Sequence, residues 1–204
     1  MSTWSIRAAI SSECFDRIIV STDDEQIADI SRTYGADVPF IRSAELSDDQ
    51  TVLQSVIVDA IERHNLDGKR AAKVCCIYAT APMIQATDIK KGLDVLLISR
   101  ADYAISVTGY AFPIQRAMWI TDQQRVQMVQ PEHLNSRSQD LKEAWHDAGQ
   151  FVWGNASAWL SGKTVLGIGS APVVLPRYRV QDIDTWEDWQ HAEALFRLTN
   201  SKAL

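Results

Sequence analysis

Asp182 and Asp184 stand two residues apart in the stretch Val180-Gln181-Asp182-Ile183-Asp184-Thr185. In an extended segment, side chains at i and i+2 leave the same face, so both carboxylates can converge on one point. Two convergent acids suit a hard divalent cation such as Mg2+, which completes its shell with water and substrate phosphate. The same residues also fit a plainer role, because negative charge ahead of a helix caps its N-terminus. Thr185 and Asp188 have the spacing of a capping box, with Asp in place of the usual Glu or Gln. The helix they open is expected to run through Trp189, Ala192 and Leu195.

Other polar residues sit where apolar runs end. Ser21, Thr22 and Asp23 follow one such run and either cap a helix or face a ligand. Arg42 follows a second run and is either solvated or set against a phosphate or base. Thr80 and Pro82 mark a turn after a third. Gln115 with Arg116, and Arg137 with Gln139, each pair a fixed cation with an amide. That combination suits a sugar acid, since a guanidinium grips a carboxylate with two parallel hydrogen bonds. His146 and Asp147 fit a site or a turn equally well. Trp145, Trp153, Trp159, Trp186 and Trp189 are read as core or interface packing. No nucleophile elbow, Gly-x-Gly-x-x-Gly or Gly-x-x-x-x-Gly-Lys occurs, so hydride transfer and ordinary NTPase chemistry lack their marks.

The elements that must hold these residues follow from periodicity. The chain opens in a helix with Trp4, Ile6, Ala8, Ala9 and Ile10 as its apolar stripe and Arg7 outside. Phe15 to Val20 reads as a buried strand. A helix follows with Ile27, Ala28 and Ile30 inward, ending near Gly35, and Asp37 to Ile41 is a second strand. The resulting βαβ unit predicts a parallel sheet covered on both faces. Thr51 to His64 is helical, Asn65 to Gly68 is a turn, and Lys73 to Ala79 reads as the central strand. A helix over 87–99 and a strand over 103–108 complete the pattern. This order puts Ser21–Asp24, Ala79–Pro82 and Thr108 at the strand C-terminal edge, where open α/β sheets bind ligands. From Pro113 to His146 the pattern breaks into a hairpin (118–120 and 126–129) and a polar stretch, an excursion suited to function or subunit contact. Ala148 to Trp153 is a further strand, Asn155 to Leu160 a short helix and Pro172 to Leu175 a last strand.

A chain of 204 residues suffices for one domain, 1–204, with 113–146 as an insert. A net charge of −6 argues against non-specific nucleic-acid binding. No stretch has the length of a membrane span, and the start lacks the order of a signal peptide. Cys14, Cys75 and Cys76 are odd in number and lack metal-ligand spacing, which points to a reducing, cytoplasmic setting.

Several segments together resemble one family. Phe15–Asp24 (FDRIIVSTDD), Gly35–Arg42 (GADVPFIR), Glu45–Asp49 (ELSDD) and Cys75–Pro82 (CCIYATAP) begin the match. Phe112–Ala117 (FPIQRA), Gln130–His133 (QPEH), Arg137–Leu141 (RSQDL), His146–Gly154 (HDAGQFVWG) and Pro176–Thr185 (PRYRVQDIDT) continue it. The chain resembles the sugar-acid cytidylyltransferases, most closely the pseudaminic acid cytidylyltransferases among the relatives of CMP-sialic acid synthetase. The resemblance implies an αβα three-layer nucleotide-diphosphosugar transferase fold with a mostly parallel sheet. It implies a homodimer packed through the excursion, and Mg2+-dependent transfer of CMP from CTP to a nine-carbon (nonulosonic) sugar acid, with release of pyrophosphate. On that basis Asp182 and Asp184 are the catalytic and metal-binding pair. Ser21, Asp23, Arg42, Ala79 and Thr80 face the nucleotide, and Gln115, Arg116, Arg137 and Gln139 face the sugar acid. The family opens with a strand and a Gly-, Arg- and Lys-rich phosphate loop. This sequence begins after both, so the resemblance implies an N-terminally truncated domain lacking its first strand. The alternative reading is an impaired homologue that only binds a sugar acid or dimerises.

Overall fold

The long apolar strand near residue 150 has two different faces, and each gathers its own core. The structure is a computed structural model and describes residues 2–66, 68 and 70–200. The helices are α1 (Ser2–Ser12), α2 (Glu25–Thr33), α3 (Leu53–Leu66), α4 (Ala86–Ser99), α5 (Ala156–Leu160) and α6 (Trp186–Asn200). The strands are β1 (Lys73–Ile77), β2 (Tyr103–Gly109), β3 (Met118–Ile120), β4 (Val126–Met128), β5 (Trp145–Asn155) and β6 (Ser170–Val174). On β5, Phe151 and Trp153 point to one side, where they pack with Ala8 of α1, Ile89 and Leu96 of α4, and Val173 of β6. Val152 points to the other side and packs with Ile57 and Ile61 of α3, Tyr103 and Trp159. The period-2 alternation of one strand therefore produces three layers, with α1 and α4 on one face of the sheet and α3 and α5 on the other.

The main sheet has the order β1-β5-β2-β6, and β3-β4 forms a separate hairpin. β5 runs antiparallel to β1 and β2, whereas β2 and β6 are parallel. Hence β1, β2 and β6 point the same way and deliver their C-terminal ends to one edge. The β2–β5 ladder is broken there: Ile105 faces Val152 while Val107 faces Asp147. The extra β5 residues bulge outward, and the Ser106 hydroxyl accepts a hydrogen bond from the Phe151 amide inside the gap (3.1 Å). Bulges of this kind re-aim side chains at sheet rims.

Several sequence expectations need correction. The apolar run at 73–79 forms an edge strand rather than the central one. Tyr78 donates its amide to Gln150, so alternate residues Lys73, Cys75 and Ile77 direct their backbone groups away from β5. The strands expected over 15–20 and 37–41 reduce to a single parallel bridge, Ile19 to Asp37. In α1 the buried residues are Ser5, Ile6, Ala8, Ala9 and Ser12, while Trp4 and Ile10 are exposed. In α2, Ala28 is buried and Ile27 and Ile30 are not. Small residues face inward on both helices because α1 packs closely on α4 and α2. Val52 lies outside α3 and is exposed. Gly35 ends the turn after α2 with a left-handed φ of 91°, as its position implied. Asp67, within the expected turn, lies outside the described residues, as do Met1 and residues 201–204.

Candidate active site

The segment bearing Asp182 and Asp184 leaves β6, makes one short helical turn at Arg177–Arg179 and crosses back over the bulge of β5. Asp182 and Asp184 are exposed while Ile183 between them is half-buried, the alternation of an extended segment. Gly149 lies beneath, with φ at +59°. A Cβ on residue 149 would stand 3.5 Å from Asp182 Oδ1, an ordinary van der Waals contact, so it is the left-handed backbone that calls for glycine here. The Asp182 carboxylate accepts a hydrogen bond from the Ile183 amide (3.1 Å).

The capping role, in contrast, belongs to Asp188. It accepts from the Thr185 amide (2.9 Å) and hydroxyl (2.7 Å), and its own amide donates to the Thr185 hydroxyl (3.2 Å). This is the reciprocal capping box, and its hydrogen bonds with Thr185 hold the Asp188 carboxyl below its ordinary pKa. With Asp188 capping α6, Asp182 and Asp184 are left for another task.

Acidic charge gathers over the bulge. Asp147 accepts from the Gly149 amide (2.8 Å). Burial raises the Tyr78 hydroxyl pKa, and Asp147, Cys76 and Asp182 push it further in the same direction. Burial also lifts the Cys76 thiol to about 12, with Asp147 adding to it, so this cysteine is no nucleophile near neutrality. Tyr78, Asp147 and Asp182 thus share one electrostatic environment at the sheet edge. Among the described residues, no three His, Cys, Asp or Glu side chains converge as a metal cage. Two exposed hard carboxylates fit Mg2+, which ordinarily takes one or two protein carboxylates and substrate phosphate.

The nucleotide-facing candidates fall in two places. Arg42 gathers Ser21 and Asp23, with Nη1 donating to the Ser21 carbonyl (3.2 Å) and Nη2 to Asp23 Oδ1 (3.1 Å). Its Nε also donates to Ser47 Oγ (2.9 Å). Ala79 and Thr80 form the exposed turn at the C-terminal end of β1. The sugar-facing candidates draw together in the excursion. Arg116 Nη1 reaches Ser138 Oγ (3.5 Å), between Arg137 and Gln139, and Gln115 Nε2 donates to the Lys142 carbonyl (2.9 Å). A cleft of about 610 Å³ lies between the ends of β2 and β6 and the stretch leading into β5, and Gln139, Lys142 and Arg177 line it. Three buried side-chain oxygens lack partners among the described residues: Ser21 Oγ, Gln115 Oε1 and Gln150 Oε1. Unsatisfied buried polar atoms are rare and call for a ligand or water. All three fall in the segments that carried the family resemblance.

Sequence reasoning missed Gly149, Gln150, Tyr78, Lys142, Arg177 and the ion pair of Asp88 with Arg179. The Gly149 signal was a glycine inside a strand pattern, which marks a bulge or a close backbone approach. The others carried no local signal, because their roles depend on which elements meet.

The fold is shared with solved nucleotidyltransferases. A CMP:2-keto-3-deoxy-manno-octonic acid synthetase solved with CTP superposes with a TM-score of 0.62 at 11% identity, over 98% of this chain and 87% of that one. A 4-diphosphocytidyl-2C-methyl-D-erythritol synthase from Anaerococcus prevotii gives 0.59 at 13% identity, over 96% and 88%. The cytidylyltransferase family model matches residues 1–200, and the chain belongs to that family. It is 36% identical over 201 residues to the pseudaminic acid cytidylyltransferase of Campylobacter jejuni, spanning 98% of this chain and 87% of the relative. The CMP-N,N'-diacetyllegionaminic acid synthase of Legionella pneumophila is 27% identical, over 98% and 86%.

Proposed function

We propose that this enzyme transfers CMP from CTP to a nine-carbon sugar acid, pseudaminic acid, releasing pyrophosphate. The observation that carries the reading is the exposed Asp182–Asp184 pair, with Asp182 beside Gly149 and both acids free of the capping duty that Asp188 performs. In the reaction, the anomeric hydroxyl of the sugar acid attacks the α-phosphorus of CTP. An O–P bond forms as the bond to pyrophosphate breaks in line, and the hydroxyl proton is lost to solvent or base. Catalysis of this kind is mainly positioning and electrostatics. Asp182 and Asp184 would hold Mg2+, which when bound neutralises charge on the phosphate oxygens. Ser21, Asp23 and Arg42, with Ala79 and Thr80, face the nucleoside. Gln115, Arg116, Arg137 and Gln139 face the sugar acid, and the cations Lys142 and Arg177 in the adjoining cleft suit its carboxylate.

The enzyme acts as a homodimer in this reading. Met118, Trp119, Ile120 and Val126 of the β3–β4 hairpin all stand exposed, more apolar surface than a free hairpin ordinarily presents to water. A cytoplasmic setting agrees with three free cysteines. Pyrophosphate release from CTP, measured with pseudaminic acid against sialic acid, tests the proposal. Release with pseudaminic acid, and at least tenfold less with sialic acid, is the expected result. Binding of the sugar acid without release would instead support a module that binds and does not transfer.

A further inference from the structure

The carboxylate-bearing segment is tied to the body of the protein by an ion pair that the proposed reaction leaves unused. Arg179 and Asp88 are 9% and 8% exposed. The guanidinium forks onto the carboxylate, Nη1 to Oδ2 at 2.5 Å and Nη2 to Oδ1 at 3.3 Å. Asp88 lies in the first turn of α4, next to Ile89, whose carbonyl accepts from Trp153 Nε1 (2.9 Å). From the other side, Gln150 of the β5 bulge donates its amide to the Arg179 carbonyl (2.5 Å). Gln150 is 3% exposed and neighbours Gly149, over which Asp182 stands. A continuous chain of contacts therefore runs from Asp88 of α4 through Arg179, three residues before Asp182, to Gln150 of β5.

A buried ion pair is a poor source of net stability, since the cost of removing two charges from water offsets their attraction. Its forked geometry does fix the direction of a segment, and groups that orient metal ligands set metal affinity. We propose that Arg179 is a positioning residue, whose pairing with Asp88 sets where Asp182 and Asp184 stand and thereby how tightly they hold a divalent cation. This rests on the metal-binding role given to those two aspartates above.

The test is Mn2+ binding to the full chain with CTP, followed by electron paramagnetic resonance, alongside thermal unfolding. The Asp182→Asn/Asp184→Asn variant supplies the baseline for Mn2+ held by CTP alone. The apolar replacement Asp88→Leu/Arg179→Met is expected to unfold at or above the parent's temperature, yet to bind Mn2+ about tenfold more weakly. Parent-like affinity in that variant overturns the inference. Should it fail to fold, Arg179→Lys, which keeps the charge and loses the fork, decides: weaker Mn2+ binding supports the role, and unchanged binding overturns it. A parent chain that binds no more Mn2+ than the baseline sinks the functional reading itself, and this inference with it.

Discussion

At the scale of residues, the division of labour among the acids near the C-terminus is the clearest result. Three aspartates lie within seven residues, and hydrogen bonding sorts them: Asp188 closes the capping box, while Asp182 and Asp184 remain open. Asp184→Ala should therefore cost turnover about 100-fold or more while leaving the melting temperature unchanged, measured by pyrophosphate release and circular dichroism. Asp188 should behave in the opposite way. Its folded pKa is depressed, so its contribution to stability is present above the unfolded carboxylate value of about 3.9 and is lost as pH falls through the lower folded value. Asp188→Asn should lower the melting temperature near neutral pH, and the gap to the parent should close in strong acid. The sequence already showed the acid pair and the capping spacing. It did not show which acid takes which role, because that depends on Thr185 turning toward Asp188.

At the scale of elements, the β5 strand decides the architecture. Its alternation and its bulge create both cores and the floor beneath Asp182. Close packing makes it intolerant of bulk: a Cβ at Gly154 would come within 2.5 Å of Trp159 Nε1 and 2.6 Å of Tyr103. Gly154→Ala should destabilise by about 2 kcal/mol in denaturant unfolding. Gly92→Ala meets rings of Phe151 and Trp153 at similar distances, but α4 regains about 1 kcal/mol of helix propensity there, so its loss should be the smaller. The helices over 25–33 and 86–99, the hairpin and the short helix after Asn155 were all legible from periodicity and turn residues. The place of β1 was not. An unbroken apolar run signals burial on both faces, and it says nothing about how many neighbours the strand's edges have. The inward faces of α1 and α2 were legible only in part: Ile6, Ala8, Ala9 and Ala28 are buried but Trp4, Ile10, Ile27 and Ile30 are not, since tight helix packing selects alanine and serine where a simple hydrophobic stripe favours isoleucine.

At the scale of the whole molecule, family membership and fold agree, and the exposed apolar hairpin is the face we propose for the homodimer. Trp119→Asp should convert a dimer to a monomer in sedimentation equilibrium, with the circular dichroism of the core unchanged. The residues proposed to face the sugar acid were legible as cation–amide pairs, and the resemblance placed them in one site. Gln115, Arg116, Arg137 and Gln139 lie on short turns of the excursion, where no periodicity marks them. The proposed transfer of CMP depends on the acid pair. Anomalous diffraction from crystals soaked with CTP and Mn2+ tests it most directly. An anomalous peak within coordination distance of Asp182 and Asp184, with the CTP phosphates beside it, is the predicted result, and bound CTP with no peak at those carboxylates would contradict it.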